Sequence, residues 1–423
     1  MNMTTRTQLS VMMFLEFFVW GAWVVTMGTY LGQGLNFSGD QIALAYTSTA
    51  WAAIISPFFV GMIADRFFQA QNVMAVLHLI GAVLMFYVTT LTDPYVYFIV
   101  LLAYAICYMP TLALVNAIAF NQMEDSEKEF PTVRVFGTLG WIIAGLLISF
   151  VLARFWGEIE TTHWPLRMAA GASAVLGIYS FTLPKTPPRA AGQKVGVRDV
   201  LGLDALALMK ERSFAIFVIA SLLICIPLAF YYSFTNLFLN ESGMTQVAAK
   251  MSLGQVSEVV FMIIMPFLFV RLGVKKMMLL GMGAWALRYL LFAYGNVDSL
   301  VWMFYGGILL HGICYDFFFV TGQIYVDNVA PREVRANAQG LIALVTYGAG
   351  MVIGNFVAGI IVNNGAIMED GKVVDHAWTT IWLWPMGMAI VVIVFFALLF
   401  KEPKKIEPEI PTPPEAEITP AGE

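Results

Sequence analysis

Charge is scarce in this sequence. Asp, Glu, Lys and Arg make up 12% of its 423 residues, against about 25% in a soluble domain. Cysteine is scarcer still. Cys107, Cys225 and Cys314 all lie inside apolar runs, which argues against a disulfide framework. The four histidines are scattered, so no metal-spaced His/Cys cluster exists and no metal or other bound cofactor is expected. The sequence has no Walker-type phosphate loop and no G-x-S-x-G elbow; neither ATP hydrolysis nor acyl transfer is indicated, and no enzyme is expected. A net charge of -5 tells little, because much of the acid sits in a short tail. It gives no footprint for nucleic acid.

Apolar mass is what the sequence has in excess. Hydrophobic residues make up 59% of the chain, too many for the surface of a soluble core. A membrane-crossing helix takes about 20 such residues, so the supply fills about 12 of them. The apolar runs are continuous and do not alternate with period two, which argues against a β-barrel. They fall near 8–34, 41–65, 72–92, 95–121, 133–154, 165–184, 213–239, 247–271, 277–295, 299–327, 336–364 and 376–400. Each must be helical, because lipid offers the backbone no other hydrogen-bond partner. The first run is too long for a signal peptide and reads as a retained helix.

Lys and Arg set the orientation. With the amino terminus placed in the cytoplasm, the far side holds only Arg154, Arg167, Lys250 and Lys372, and Arg134 and Arg288 fall within spans. The rest of the 23 Lys and Arg lie on the cytoplasmic side. Both termini are therefore expected inside. The polar stretch 185–212 divides the chain into a six-helix half over 1–184 and another over 213–401. Within it, LGLDALALMK could form a short surface helix. The Pro- and Glu-rich tail 402–423 reads as disordered. The expected fold class is an all-α integral membrane protein: twelve transmembrane helices in two six-helix halves, a major-facilitator arrangement.

Ionisable groups inside spans cost about 2.5–3.5 kcal/mol each on insertion scales, so each asks for a reason. Arg134, Thr138 and Trp141 stand at i, i+4 and i+7 on one face of the fifth span, a possible ligand wall. Arg134 could instead snorkel, or pair with Glu127 or Glu129. Gly137 and Gly140 lie on other faces and would let helices approach closely. Gln255 and Glu258 share a face of the eighth span, with Glu258 more than two turns in. It must face a cavity or a partner, which suits a proton carrier. His311 and Tyr315 stand one turn apart on the tenth span, and Asp316 points about 100° away. They could form a proton relay with an aromatic shelf, or an ordinary interhelical pair. Tyr232 and Asn236 share a face of the seventh span beside Tyr231. Glu16 could pair structurally with another span. Arg288 reads as a structural partner for a buried acid or a helix end.

Several segments carry a specific likeness: FLEFFVWGAWVVTMGTYL at 14–31, GMIADRFF at 61–68, YMPTLALVNAIAF at 108–120 and FPTVRVFGTLGW at 130–141. QVSEVVF at 255–261, AWALRYLLFAYG at 284–295, YDFFFVTG at 315–322 and ANAQG at 336–340 continue it. In these the chain resembles the nucleoside:proton symporters of the major facilitator superfamily, which include bacterial nucleoside permeases. The resemblance implies a central cavity between the halves and uptake of a nucleoside across the bacterial inner membrane, with the proton as coupling ion. It implies binding positions at Arg134, Thr138, Trp141, Gln255, Glu258, Tyr315 and Asp316. The family's seventh-span Gln and Asn stand here as Ala229 and Tyr232, its tenth-span Tyr as His311, and its first-span Gln as Glu16. These departures bear on the base contacts and could indicate a different substrate.

The expected substrate-binding set is therefore Arg134, Thr138, Trp141, Tyr232, Gln255, Glu258, His311, Tyr315 and Asp316, with Glu258, Asp316 and Arg134 coupling the proton. The expected partners are a nucleoside and the lipid bilayer, with no nucleic acid, and the family and its single cavity suggest a monomer. A symporter of another polar solute, such as a sugar or a nucleoside-like metabolite, is the alternative. A membrane sensor without flux is more remote, because loops and tail carry no folded signalling domain.

Overall fold

The structure, a computed structural model, describes residues 1–59, 68–188, 203–331 and 334–402. Nearly all of it is helical. The first half supplies α1 (Met3–Trp23), α2 (Gly39–Phe59), α3 (Ala70–Val88), α4 (Pro94–Asn121), α5 (Ser126–Leu146) and α6 (Trp164–Ser180). The second supplies α7 (Arg212–Glu241), α8 (Leu253–Tyr294), α9 (Val301–Val329), α10 (Asn337–Asn364) and α11 (Trp378–Leu399). Stretch LGLDALALMK forms a 3₁₀ helix over Leu203–Lys210. Motif residues 61–67, linker residues 189–202 and tail residues 403–423 lie outside the described residues.

Nine helical segments among the described residues are long and apolar enough to cross a membrane. Neither α2 nor the 17-residue α6 is among them. One of the nine, Val247–Tyr294, is 48 residues long. Within it, the expected boundary between the eighth and ninth spans is marked by Gly273, with φ 71°, a conformation that glycine adopts at no steric cost. Nine segments do not by themselves give the expected twelve. Large apolar side chains such as Val83, Ile263, Val270 and Leu398 are more than 60% exposed, as befits surfaces solvated by lipid tails instead of water.

In the first half α1 packs along α5 and α3 along α6. The α1–α5 seam depends on Gly140: a Cβ there would fall on the backbone carbonyl of Phe14, which confirms the close approach expected at this position. Gly140→Val should destabilise the fold by about 1–3 kcal/mol through overpacking. Thermal unfolding of purified protein in detergent checks this, and an unchanged midpoint would contradict the packing.

Glu16 is fully buried inside this half. Its carboxylate lies 2.9 Å from His78 Nε2 and accepts from Thr111 Oγ1 at 2.7 Å. His78 Nδ1 in turn meets Ser173 Oγ at 3.0 Å. The structural pairing foreseen for Glu16 is thus a network over α1, α3, α4 and α6.

The second half is built around α7, which packs on α10 and α11. Phe238, Phe292, Tyr289 and Trp382 interlock there with ring centroids 5.2–5.7 Å apart. A two-stranded antiparallel hairpin, β1 (Ala366–Glu369) and β2 (Lys372–His376), joins α10 to α11. Asp370 and Gly371 make its turn with φ 48° and 77°, the Asp-Gly chemistry of tight hairpins. His376 Nδ1 and Trp378 Nε1 both bond Glu241 Oε2, at 2.9 and 2.7 Å, and anchor the hairpin to the end of α7.

The halves meet where α1 and α7 end and α2 begins. A Cβ on Gly359 of α10 would come within 2.6 Å of Ala43 Cβ on α2, and one on Gly28 would come within 2.6 Å of the Ser233 carbonyl. The short helix Val247–Met251 leans on the end of the fifth span, where the Ala249 amide donates to Ser149 Oγ at 3.0 Å.

Candidate functional site

Period 3.6 places Arg134, Thr138 and Trp141 on one stripe of α5, as the sequence predicts. The Arg134 guanidinium lies 4.1 Å from the centre of the Phe17 ring on α1, a cation–π contact that seats it against α1. Glu129, one of its candidate structural partners, is bonded instead to the Met1 amino group at 2.9 Å. The Glu127 side chain lies outside the described residues. Arg134 feels the charge of Glu258 from the opposite half. Thr138 is half-buried one turn further along. Trp141 meets Trp20 edge-on at 5.8 Å.

Glu258 stands on α8. Ser257 beside it donates its hydroxyl to the Leu309 carbonyl, which ties this turn of α8 to α9. Glu258 keeps 24% side-chain exposure, and its Oε2 is 3.9 Å from His311 Nε2. Gln255, three residues earlier, has its Oε1 buried without a hydrogen-bond partner. His311 Nδ1 is in the same condition. The His311 ring stacks on Tyr231 at 5.4 Å and on Tyr315 at 6.1 Å, with Tyr232 edge-on at 6.4 Å. Tyr315 shares a hydroxyl contact of 3.2 Å with Tyr347.

One cavity between the halves is lined by four of the predicted site residues. Trp141 lines one wall and Tyr232, Gln255 and His311 the other, with Val24 and Met251 between them. Arg134 and Glu258 interact electrostatically across the halves. Asp316 is set apart: it is fully buried, and both of its carboxylate oxygens lack partners. It opens a π-helical turn, Asp316–Val320, an irregularity frequent at functional sites. It feels the charge of Glu258 and, like Arg134, Thr138, Glu258 and Tyr315, it does not line the cavity.

Two groups had no role in the sequence-level site. Tyr231 is sandwiched between His311 and the Arg288 guanidinium, which lies 4.0 Å from its ring centre. Arg288 bonds the Gly307 carbonyl through Nε at 2.9 Å. Of the two partners foreseen for it, the backbone near a helix end is the one found, not a buried acid. Glu160, in the 3₁₀ turn Ile159–Thr161, reads in sequence as an ordinary loop acid, yet it is 6% exposed. No local pattern marks it, because its partners are more than 70 residues away.

The whole chain is similar to known proteins. Residues 3–405 match the family described as Nucleoside H+ symporter. The chain is 43% identical to YegT of Escherichia coli (strain K12) over 404 residues, which cover 95% of each. It is 34% identical to the xanthosine permease of the same strain, covering 96% of this chain and 99% of that one. The crystal structure of the nucleoside transporter NupG superposes with a TM-score of 0.85 at 32% identity, over 95% of this chain and all of that one. The chain, a transporter and not an enzyme, belongs to the nucleoside:proton symporter family.

Proposed function

We propose that this protein takes up a nucleoside together with protons by alternating access at the cavity between its halves. The observation that carries this reading is the cavity walled by Trp141, Tyr232, Gln255 and His311 from both halves, with Arg134 and Glu258 on opposite halves within reach of each other's charge. A nucleoside offers a ribose diol and a flat base. A guanidinium and a carboxylate suit the diol through charge-assisted hydrogen bonds. Aromatic walls suit the base. The buried, unpartnered Gln255 Oε1 and His311 Nδ1 are free to read its polar edge, since a buried polar atom ordinarily has a partner.

Proton coupling follows from the same pair. Ionised Glu258 attracts Arg134 and draws the halves together; protonated, it releases that attraction, and the populations of the two access states shift. Asp316 serves as a second proton site behind it. Thr138 completes the α5 wall, and Tyr315 backs His311. We read the chain as twelve crossings in two six-helix halves, 1–184 and 213–401, monomeric in the bacterial inner membrane, with both termini in the cytoplasm, which the Lys and Arg distribution supports.

Thermal stability of the purified protein with single ligands tests the substrate class. Uridine, adenosine or another nucleoside should raise the unfolding midpoint by several degrees at concentrations far above its dissociation constant, since a ligand of the folded state stabilises it by mass action. Stabilisation by sugars and by no nucleoside would instead establish the other polar-solute reading, the one that the Ala229, Tyr232 and His311 departures raise.

A further inference from the structure

Glu160 is a buried carboxylate outside the spans; it does not itself line the cavity, although its partner Ala248 does. Oε1 accepts from the Ala248 amide at 2.9 Å, and Oε2 accepts from Asn236 Nδ2 at 2.9 Å and Asn240 Nδ2 at 3.2 Å. All three donors belong to the second half, and Glu160 to the first. Thr29, from the end of the first span, adds a bond from its hydroxyl to Asn236 Oδ1 at 2.5 Å. Burial pushes the Glu160 carboxyl above the ordinary carboxylate range, and the three donors oppose that push. Lys250, on the second half, feels its charge.

These contacts exist only while the halves are together. When they part here, Glu160 exchanges three directed donors for water, so its bonds favour one access state over the other. A carboxylate is suited to this work because it only accepts. An amide in its place would turn its own N–H groups towards at least one N–H donor.

We propose that Glu160 is the clasp that holds the two halves closed at the face opposite the termini, a positioning residue for the transport cycle that never touches substrate. The inference rests on the alternating-access reading and not on the identity of the solute. Without the clasp, the state open at this face gains population at the expense of the closed one. Substrate binding at the cavity survives, and net turnover falls because the return to the closed state becomes rare.

Spin labels at Thr92 and Asp298, exposed in loops of the first and second halves, report the separation by electron–electron resonance. The background is Cys107→Ser, which removes the one native thiol that is not buried. Glu160→Ala and Glu160→Gln should raise the long-distance population at least about tenfold over the parent, the scale of a lost hydrogen bond to a charged group. Glu160→Asp should restore part of the closed population. Ligand-induced thermal stabilisation should persist in all three.

If the Glu160 variants do not fold, Asn240→Ala, which removes a donor from the other half, should give the same shift. Distance distributions identical to the parent in the folded variants overturn the clasp. A parent that transports no nucleoside while Glu160→Ala still opens would sink the substrate reading alone. A parent that transports while Glu160→Ala stays closed sinks the clasp alone.

Discussion

Arg134→Ala should lower uptake into proteoliposomes at least about 100-fold, with the protein still folded and inserted. Two effects add in the same direction. The diol loses a guanidinium donor, and a hydrogen bond to a charged group is worth about 1.5–3 kcal/mol. Glu258 loses the cation from the opposite half that its charge feels, leaving a half-buried carboxylate with the His311 imidazole 3.9 Å away. Lysine at this position should recover little, because a point charge does not reproduce the planar fork or its seat on the Phe17 ring. Initial uptake rates at saturating and subsaturating nucleoside separate the losses. Wild-type rates in Arg134→Ala would remove it from the site.

Glu258→Gln should separate exchange from accumulation. Glutamine keeps the size and one acceptor oxygen but cannot change charge. The mutant should therefore bind and exchange labelled for unlabelled solute at a measurable rate, yet show no accumulation under an imposed pH gradient, a loss of about 100-fold or more in the driven rate. The pull between the two halves no longer depends on proton occupancy, so the gradient has nothing to act on. Concentrative uptake by Glu258→Gln would move the coupling to Asp316, whose unpartnered oxygens make it the next candidate.

The α5 stripe was legible because a helix turns with a fixed period: once the span was found, Arg134, Thr138 and Trp141 had to share a side. The cost of charge in lipid likewise singled out Glu258 and Asp316. What sequence could not give was the partner across space. That His311 would come within 3.9 Å of Glu258, or that His78 would meet Glu16 at 2.9 Å, depends on how separate helices are rotated against each other. His78 sits in an apolar run and has no local companion. Glu160 was invisible for the opposite reason, since an acid in a polar loop raises no question until it is found buried. The hairpin was readable and unread: Asp370-Gly371 between Val- and Met-bearing segments is a known turn signal. The break at Gly273 is the reverse case, a boundary that hydropathy places and that one left-handed residue marks within an otherwise continuous helix.

At Gly28 the seam brings backbone against backbone, but beside it the halves meet through side chains, Leu237 against Gly32 and Ile54 against Gly348. Parting them bares apolar area, and the heat capacity change of opening scales with that area. The balance between the two access states should therefore curve with temperature, as folding equilibria do, and the closed face should lose part of its hold as the cell cools.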